Sequence, residues 1–376
     1  MQSLTYLDHA ATTPMRADAV EAMLPFLSEG FANPSGSHRF ARSARAAIDE
    51  ARDRVAECLG CEPGDVVFTS GGTESDNTAV RGVVAVRGGR PLCSAAEHHA
   101  VLEPVEAAGG VVVPTDVAGA IDLGCLEEAL RDAPDVSLVS VMAVNNEVGT
   151  VTDLSSVARI VRSVAPGAVL HTDAVQAARW LDLRTVTPLV DMLSLSAHKF
   201  GGPKGVGVLV ARKGARFEPL LRGGGQERER RSGTQNVAGI VALSVALAAT
   251  DRERASEVAR LGELRDTMVK RLTTRLDGVH ETVSRELTVA GIAHLCIDGI
   301  ENEALLYLLD EAGICASAAS ACAAGAMEPS HVLAAMGVDR SRALGALRLS
   351  LGRTTTAADI DRGVEAVVTA VEQLRR

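Results

Sequence analysis

The sequence predicts an α/β protein in which a large domain carries a mostly parallel sheet and a smaller domain is α+β. Short β-rich runs alternate with helical segments, a pattern typical of parallel sheets covered by helices. The runs are Val66–Thr69, Pro91–Ser94, Val111–Pro114, Val136–Met142, Val169–Thr172, Met192–Leu195 and Val206–Ala211. After Thr234 the pattern becomes a long Ala/Leu-rich helical region that reaches Leu276. We place the large domain at residues 15–250 and the small domain at residues 1–14 and 251–376.

Helical periodicity accounts for much of the remaining chain. Apolar residues recurring every three or four positions predict helices. These predicted helices cover residues 16–27, 38–59, 302–312 and 357–374. Two further β-rich runs, at 293–297 and 344–349, fall in the small domain.

Composition narrows the class of protein. The 376 residues are 47% hydrophobic and 23% charged, as in an ordinary globular protein with a large core. A net charge of −10 gives no field for nucleic acid, and no apolar run is long enough for a membrane span. The N-terminal residues lack signal-peptide features, and seven cysteines in a long chain suggest reduced thiols. We expect a cytoplasmic protein without a metal site, because the CxxC pair Cys58 and Cys61 has no second pair to complete one.

Lys199 follows the apolar run Met192–Ala197 and precedes a glycine-rich turn that begins at Gly201. Burial disfavours a charged amine, and a neutral amine can condense with a carbonyl. A lysine that extends from a strand end to solvent fits the same local pattern. Other parts of the chain must decide between the two interpretations.

Two further strand ends supply polar groups. Thr69–Asn77 follows a strand and opens a helix, so its glycines can leave N–H groups free to cradle a phosphate. A simple helix cap explains the same residues. Asp173 and Gln176 follow another strand, at the edge where α/β sheets collect ligands. Asp173 could keep a pyridine nitrogen protonated, and Gln176 could donate to a phenolate oxygen, although a solvated loop acid is the alternative.

His98 and Asn146 follow two more predicted strands. An imidazole can stack on a flat ring, and a side-chain amide can hydrogen-bond to it. With Lys199, Asp173 and the phosphate cradle, five strand ends thus offer a lysine, an acid, a ring, an amide and an anion site. This set is what pyridoxal 5′-phosphate requires, and we therefore predict that cofactor.

Several long motifs occur in one order along almost the whole chain. They are Leu7–Pro14, Asn33–His38, Thr69–Ser75, Val144–Thr150, Asp173–Gln176, His198–Lys199, Gly223–Arg228 and Arg348–Arg353. Through these motifs the chain resembles the NifS-like (group I) cysteine desulfurases, which are pyridoxal-phosphate enzymes with the class V aminotransferase fold, also called fold type I. The resemblance implies that the large domain binds the cofactor.

The resemblance also implies roles for individual residues. Lys199 would bond covalently to the cofactor, and His98 would stack on its ring. Asp173 would pair with the ring nitrogen, while Gln176 and Asn146 would lie near the ring oxygen and the substrate. Proton transfer would fall to Lys199 or His98.

The phosphate and the substrate carboxylate would have separate binding groups. The phosphate would be held by Gly72, Thr73, Ser196 and His198. Thr234 would reach the phosphate of the partner subunit, so that the active unit is a homodimer. Arg348 would bind the substrate carboxylate through a bidentate pair, and Asn146 would also bind the substrate.

Cys322 lies among small residues in Cys315–Met327. Such a segment has few side chains to anchor it, although a buried structural thiol fits the local composition equally well. The resemblance makes Cys322 the nucleophile, in a loop of the small domain. The predicted reaction converts L-cysteine to L-alanine and leaves a persulfide on Cys322 for a sulfur-acceptor protein or scaffold, as in iron–sulfur cluster assembly or tRNA thiolation.

Other functions remain open on the sequence alone. A selenocysteine lyase, an aminotransferase or another class V enzyme could use much of the same site. A sulfur-relay scaffold or a cofactor-retaining regulator is a non-enzymatic alternative, although no helix-turn-helix or basic segment precedes the domain. The sulfur acceptor itself cannot be read from the residues.

Overall fold

The computed structural model describes residues 4–319 and 330–376. Strands are numbered in chain order within these residues: β1 (Thr5–Tyr6), β2 (Val66–Thr69), β3 (Arg90–Ser94), β4 (Val111–Val113), β5 (Val136–Ser140), β6 (Val169–Asp173), β7 (Met192–Ser196), β8 (Gly207–Ala211), β9 (Val279–Glu281), β10 (Ile292–Ile297), β11 (Ile314–Cys315) and β12 (Ala346–Ser350). Helices are numbered likewise: α1 (Ala17–Ser28), α2 (Arg39–Leu59), α3 (Gly72–Arg87), α4 (His99–Ala107), α5 (Leu123–Asp132), α6 (Leu154–Val164), α7 (Leu183–Val186), α8 (Val237–Arg275), α9 (Asn302–Glu311), α10 (His331–Ala335), α11 (Arg340–Ala343) and α12 (Ala357–Leu374).

Strands β2 to β8 form one seven-stranded sheet in the order β2-β8-β7-β6-β5-β3-β4. Four neighbouring pairs are parallel, and only β8 runs antiparallel to its neighbours β2 and β7. All seven predicted runs lie in this sheet, which confirms the mostly parallel α/β prediction. Because β2 and β7 both run opposite to β8, the carboxyl ends of β2, β3, β5, β6 and β7 share one edge.

The helices bury an apolar stripe against this sheet. In α6 the buried positions Leu154, Val157, Ala158, Ile160 and Val161 recur at helical spacing. α2 ends at Gly60, whose φ of 65° lies in the left-handed region that glycine adopts without a steric penalty. The long helix α8 packs against α1 and α2, and it also contacts α12.

A second, smaller sheet contains β9, β10 and β12 in antiparallel order, and β1 pairs in parallel with β11. The predicted runs at 293–297 and 344–349 correspond to β10 and β12. Residues 5–6 thus pair with the C-terminal part of the chain, and the division into two domains stays a prediction. The short elements β1, β9, β11, α10 and α11 were not predicted, because two to five residues are too few to show a period.

Among residues 4–319 and 330–376, no helix combines the length and the apolar content needed to cross a membrane.

Candidate active site

A cavity of about 310 Å³ lies at the sheet edge where the parallel strands end. It is bounded by the loops that follow β2, β3, β5, β6 and β7, by the N-terminal segment and by β12. Its lining comprises Ala10, Ala11, Gly72, Thr73, Asp76, His98, Met142, Val144, Asn146, Asp173, Val175, Gln176, Ser196, His198, Lys199, Ala319 and Arg348.

The fold therefore brings ten of the predicted site residues to one cavity. They are Gly72, Thr73, His98, Asn146, Asp173, Gln176, Ser196, His198, Lys199 and Arg348. Two predicted residues are not in the lining. Thr234 is exposed and lies outside the cavity, and Cys322 lies outside the described residues.

Lys199 follows β7 in a short 3₁₀ turn. Its amine donates to the carbonyl oxygens of Ala10 at 2.7 Å and of Ala11 at 2.9 Å. Gln176 Nε2 donates to the same Ala10 oxygen at 2.7 Å. The N-terminal segment thus passes along the cavity wall and holds the lysine amine and the glutamine amide on backbone acceptors. Sequence reasoning missed this, because two alanines offer no side-chain signal.

Asp173 is the last residue of β6 and is buried. One carboxylate oxygen accepts the N–H of Val175 at 2.8 Å. Burial raises the pKa of Asp173 above its usual range, whereas His98, the Val175 N–H and Lys199 favour the charged form. A cationic partner in the cavity would therefore favour the carboxylate form of Asp173.

His98 caps the N-terminus of α4, and its Nδ1 accepts the N–H of Ala100 at 3.0 Å. The proton of the neutral ring therefore resides on Nε2. Burial is the main reason that the pKa of His98 lies below its usual value; Lys199 lowers it further, and Asp173 acts in the opposite direction. Near neutral pH the cavity thus contains an imidazole with one donor and no net charge.

The N-terminus of α3 faces the cavity through Gly72 and Thr73. The capping residue Gly71 supplies no side-chain hydrogen bond, so the first N–H groups of the helix lack a side-chain cap. A β-carbon at Gly71 would lie 3.7 Å from Ser196 Oγ, so a side chain there would narrow the space beside Ser196. The dipole of this 16-residue helix and its uncapped N–H groups both favour binding of an anion at the helix N-terminus.

His198 lines the same part of the cavity. Its Nδ1 lies 3.1 Å from Thr12 Oγ1. Burial, followed by the nearby charges of Lys199 and Lys204, lowers the pKa of His198 to about 4. The ring is therefore neutral at physiological pH and can act as a hydrogen-bonding group rather than a cation.

Arg348 belongs to β12 and is only 3% exposed. Its Nη1 donates to the carbonyl oxygen of Asn146 at 2.7 Å, and its Nη2 donates to Asp8 Oδ1 at 2.7 Å. Its Nε has no hydrogen-bond partner among the described residues. A planar cation held in this way suits a carboxylate ligand. Asp8 was missed as a site residue, although it lies within the Leu7–Pro14 motif.

Two further acids are buried near Asp173. Asp76, on α3, lines the cavity and is 1% exposed, with Oδ1 3.7 Å from His171 Nε2. Glu97 Oε1 accepts the N–H of Met142 at 2.6 Å. Burial raises the pKa of both acids well above their usual ranges, and Asp173 raises them further. Sequence reasoning missed both acids, because an acid within a helix, such as Asp76, or within a polar segment, such as Glu97, usually faces solvent.

Thr234 lies in a segment tied to α3 and β2. Arg231 Nε donates to Glu74 Oε1 at 2.9 Å, and Glu74 Oε2 accepts the N–H of Ser70 at 2.8 Å. Glu227, in the same segment, is buried against Arg52. The exposed Thr234 therefore lies outside the cavity, in a segment that hydrogen bonds attach to the start of α3. Among the described residues, no cluster of three or more histidines, cysteines or acids could hold a metal ion.

Comparison with known proteins agrees with this architecture. A profile of the family "Aminotransferase class-V" matches residues 5–362. An "IscS-like cysteine desulfurase" of Mycobacterium tuberculosis is 43% identical over 386 residues, covering 99% of this chain and 98% of the relative. A solved structure titled "NIFS-LIKE PROTEIN" superposes with a TM-score of 0.91 at 35% identity, covering 99% of this chain and 100% of that one. Another, "SspA in complex with cysteine", gives a TM-score of 0.80 at 33% identity, covering 92% and 98%. This protein is therefore a member of the class-V aminotransferase family.

Proposed function

We propose that this protein is a pyridoxal-phosphate-dependent cysteine desulfurase that converts L-cysteine to L-alanine and transfers the sulfur to Cys322. The observation that carries the proposal is the meeting of Lys199, Asp173 and Arg348 at one cavity. Support also comes from the names of the similar proteins, a cysteine desulfurase and a protein solved with cysteine.

The residues present fit pyridoxal phosphate. The uncapped N-terminus of α3 offers N–H groups to a phosphate, and Gly71 leaves space there. A protonated ring nitrogen beside the buried carboxyl of Asp173 would stabilise its charged carboxylate form. The cavity of about 310 Å³ falls within the size of small-ligand sites. Lys199 and His98 reach this same space.

Under this proposal the phosphate is held by Gly72, Thr73, Ser196 and His198. Lys199 bonds to the cofactor, Asp173 pairs with its nitrogen, His98 stacks on the ring, and Gln176 and Asn146 lie near the ring oxygen. When bound, the cofactor supplies an electron sink for negative charge that develops on the substrate.

The chain's own groups then bind the substrate and move protons. Arg348, with Asn146, holds the α-carboxylate of cysteine. The Lys199 amine and the Nε2–H of His98 are the groups that can hold or deliver a proton in the cavity. Because its Nδ1 accepts the Ala100 N–H, neutral His98 can donate the proton on Nε2, and it can accept a proton there only after that one has left.

The sulfur step forms one bond and breaks one. The Cys322 thiolate attacks the substrate sulfur, so that an S–S bond forms and the carbon–sulfur bond breaks with its electron pair remaining on carbon. A proton delivered to that carbon completes L-alanine. The net change is cysteine plus a thiol to alanine plus a persulfide, without an external oxidant or reductant. The thiolate is the reactive form, which requires a deprotonated Cys322.

We further propose a cytoplasmic homodimer in which Thr234 contacts the phosphate bound by the partner subunit. The persulfide on Cys322 would pass to a sulfur-acceptor protein or scaffold, such as one serving iron–sulfur cluster assembly or tRNA thiolation. Two observations support a contact of Thr234 with a second subunit: its side chain is exposed, and its segment is attached to α3 by the hydrogen bond from Arg231 to Glu74.

Cys322→Ser tests the proposal. The purified enzyme is incubated with cysteine, alkylated and digested, and the peptides are mapped by mass spectrometry. A persulfide adduct is expected at Cys322 of the wild type and nowhere in the variant, which should keep its cofactor absorbance. Alanine production at the wild-type rate by Cys322→Ser would refute the proposed transfer. Equal turnover of cysteine and selenocysteine by that variant would instead favour a lyase.

A further inference from the structure

The guanidinium of Arg348 has an acidic partner before any ligand arrives. Its Nη2 donates to Asp8 Oδ1 at 2.7 Å, while Nη1 donates to the Asn146 carbonyl at 2.7 Å. The Arg348 side chain is 4% exposed and that of Asp8 is 20% exposed. Asp8 is absent from the cavity lining and touches the site through Arg348. A carboxylate of the chain therefore engages the cation that is proposed to bind the carboxylate of the substrate.

Other titratable groups around Arg348 do not take over the role of Asp8. Burial raises the pKa of Glu147, and the Glu147 carboxyl accepts from Ser330 Oγ rather than from Arg348. His294, opposite Arg348 on β10, has its pKa lowered to about 3 by burial and by the arginine charge, so it is neutral. Tyr6 also lies nearby, and burial raises its pKa, so it stays a neutral phenol. Asp8 is thus the direct acidic contact of Arg348 among the described residues.

A buried cation attracts a carboxylate ligand more strongly when no other anion offsets its charge. With Asp8 in place, an arriving α-carboxylate meets an arginine whose charge is already partly compensated. The arriving carboxylate must also use N–H groups that Asp8 and the Asn146 carbonyl leave open. The same holds for an amino-acid product, since its α-carboxylate is the same group.

We propose that Asp8 is a positioning residue that orients Arg348 and, by offsetting its charge, weakens the binding of both substrate and product α-carboxylates. This inference rests on the proposed function only in taking Arg348 as the carboxylate-binding group. Asp8 would prevent the enzyme from being held in its complex with L-alanine.

The backbone around Asp8 offers a way to separate charge from structure. Asp8 forms a parallel bridge with Ser350, and the main-chain N–H of Ser350 donates to the Leu7 oxygen at 2.7 Å. These contacts involve no side-chain charge. Asp8→Asn keeps the backbone and an oxygen that can accept from Arg348 Nη2, while it removes the negative charge and replaces the second carboxylate oxygen with an NH₂ group.

The experiment titrates the cofactor-loaded dimer with L-alanine and with cysteamine, which lacks the carboxylate, and follows the absorbance of the cofactor. In Asp8→Asn we expect the Kd for L-alanine to fall at least fivefold, with the Kd for cysteamine changing less than twofold. The matched control is Asp18→Asn, which removes an acid paired with Arg16 at 3.5 Å, away from the cavity, and should leave both constants unchanged.

The direction of the change distinguishes the proposal from a purely structural role. If Asp8 only holds Arg348 in its orientation, replacing Asp8 will weaken L-alanine binding. A higher or an unchanged Kd for L-alanine therefore overturns the inference. Asp8→Ser provides a second neutral variant, and failure of both variants to fold with cofactor would show that Asp8 is structural and refute the proposal. Release of sulfur from cysteine by the wild type is measured separately, so a failed desulfurase assay leaves the L-alanine comparison readable.

Discussion

Replacing Glu227 by glutamine should cost about 3–5 kcal/mol of folding free energy, because it removes one charge of a buried ion pair. The Glu227 carboxylate receives Arg52 Nη2 at 2.8 Å and Nη1 at 2.9 Å, and the N–H of Phe68 at 3.0 Å. Gln235 Nε2 donates to it as well. Glutamine has nearly the same shape but replaces one acceptor oxygen with a donor NH₂ group, so the two donors at that oxygen lose their acceptor.

The size of the effect follows from burial. The side chains of Arg52 and Glu227 are only 8% and 1% exposed, so water screens their interaction little. After the substitution the Arg52 charge keeps the Val66 carbonyl, 2.7 Å from Nη1, as a neutral acceptor. The backbone limits the loss: Glu227, Arg228 and Glu229 have φ values of 48°, 57° and 65°. Each such left-handed residue costs about 1–2 kcal/mol, and release from Arg52 that relaxes one of the three lowers the cost of the substitution by that amount. We therefore expect a value near 3 kcal/mol.

The assay is urea unfolding of the wild type and the Glu227→Gln variant, with Glu218→Gln as the matched control. Glu218 pairs with Arg222 at the surface, with side chains 43% and 75% exposed, so its loss should cost less than about 0.5 kcal/mol. A double-mutant cycle with Arg52→Gln should give a coupling of about 2 kcal/mol or more. A destabilisation by Glu227→Gln no larger than that of the control would refute the reasoning. Because Glu227 lies in the segment that carries Thr234, cofactor retention and dimer mass should be recorded on the same samples.

Three further outcomes are expected. Lys199→Ala should yield no cofactor–protein adduct on borohydride reduction, whereas the wild type should yield one on the peptide containing Lys199, as peptide mass mapping would show; an adduct elsewhere contradicts the assignment. Gly207→Ala should weaken cofactor binding at least tenfold in fluorescence titration, because its β-carbon would lie 2.7 Å from the Gly71 Cα, while Gly167→Ala, with nothing within 4 Å, should have no effect. The pKa of His294 is lowered to about 3, so its folded form stays neutral while the unfolded form gains a proton below pH 6.5. Stability contributed by neutral His294 is therefore present above pH 6.5 and is lost as pH falls toward 3, and the stability of His294→Asn relative to wild type should improve by about 1.4 kcal/mol per pH unit between pH 6 and 4. Asp76 and Glu97, whose pKa values are raised, change the stability with pH in the opposite direction, but both proteins contain them, so their effect cancels when the two urea unfolding curves are compared. A stability difference that does not change with pH would contradict the prediction.

The seven strands of the central sheet were predictable because each is a short apolar run between helical segments, and burial on both faces leaves that mark in the residues themselves. The carboxyl-end rule for parallel sheets then predicts that His98, Asn146, Asp173 and Lys199 lie together. These residues do line one cavity in the structure. Roles such as phosphate binding and the position of Cys322 came from the resemblance to a family, since no local pattern distinguishes them from a helix cap or a buried thiol.

Tertiary structure decided the contacts that join distant parts of the chain. The N-terminal carbonyls of Ala10 and Ala11 receive the Lys199 amine, and Asp8 meets Arg348 across 340 positions of sequence. Neither alanine carries a polar side chain, and backbone carbonyls are the same in every residue. Asp76 likewise resembles a solvated helix acid until packing buries it. The sequence by itself determined which elements form and which reactive groups they carry, because burial periodicity and residue chemistry are local. Only the folded chain decided which charges face one another and which are buried, because distance and dielectric surroundings depend on the packing of all elements together.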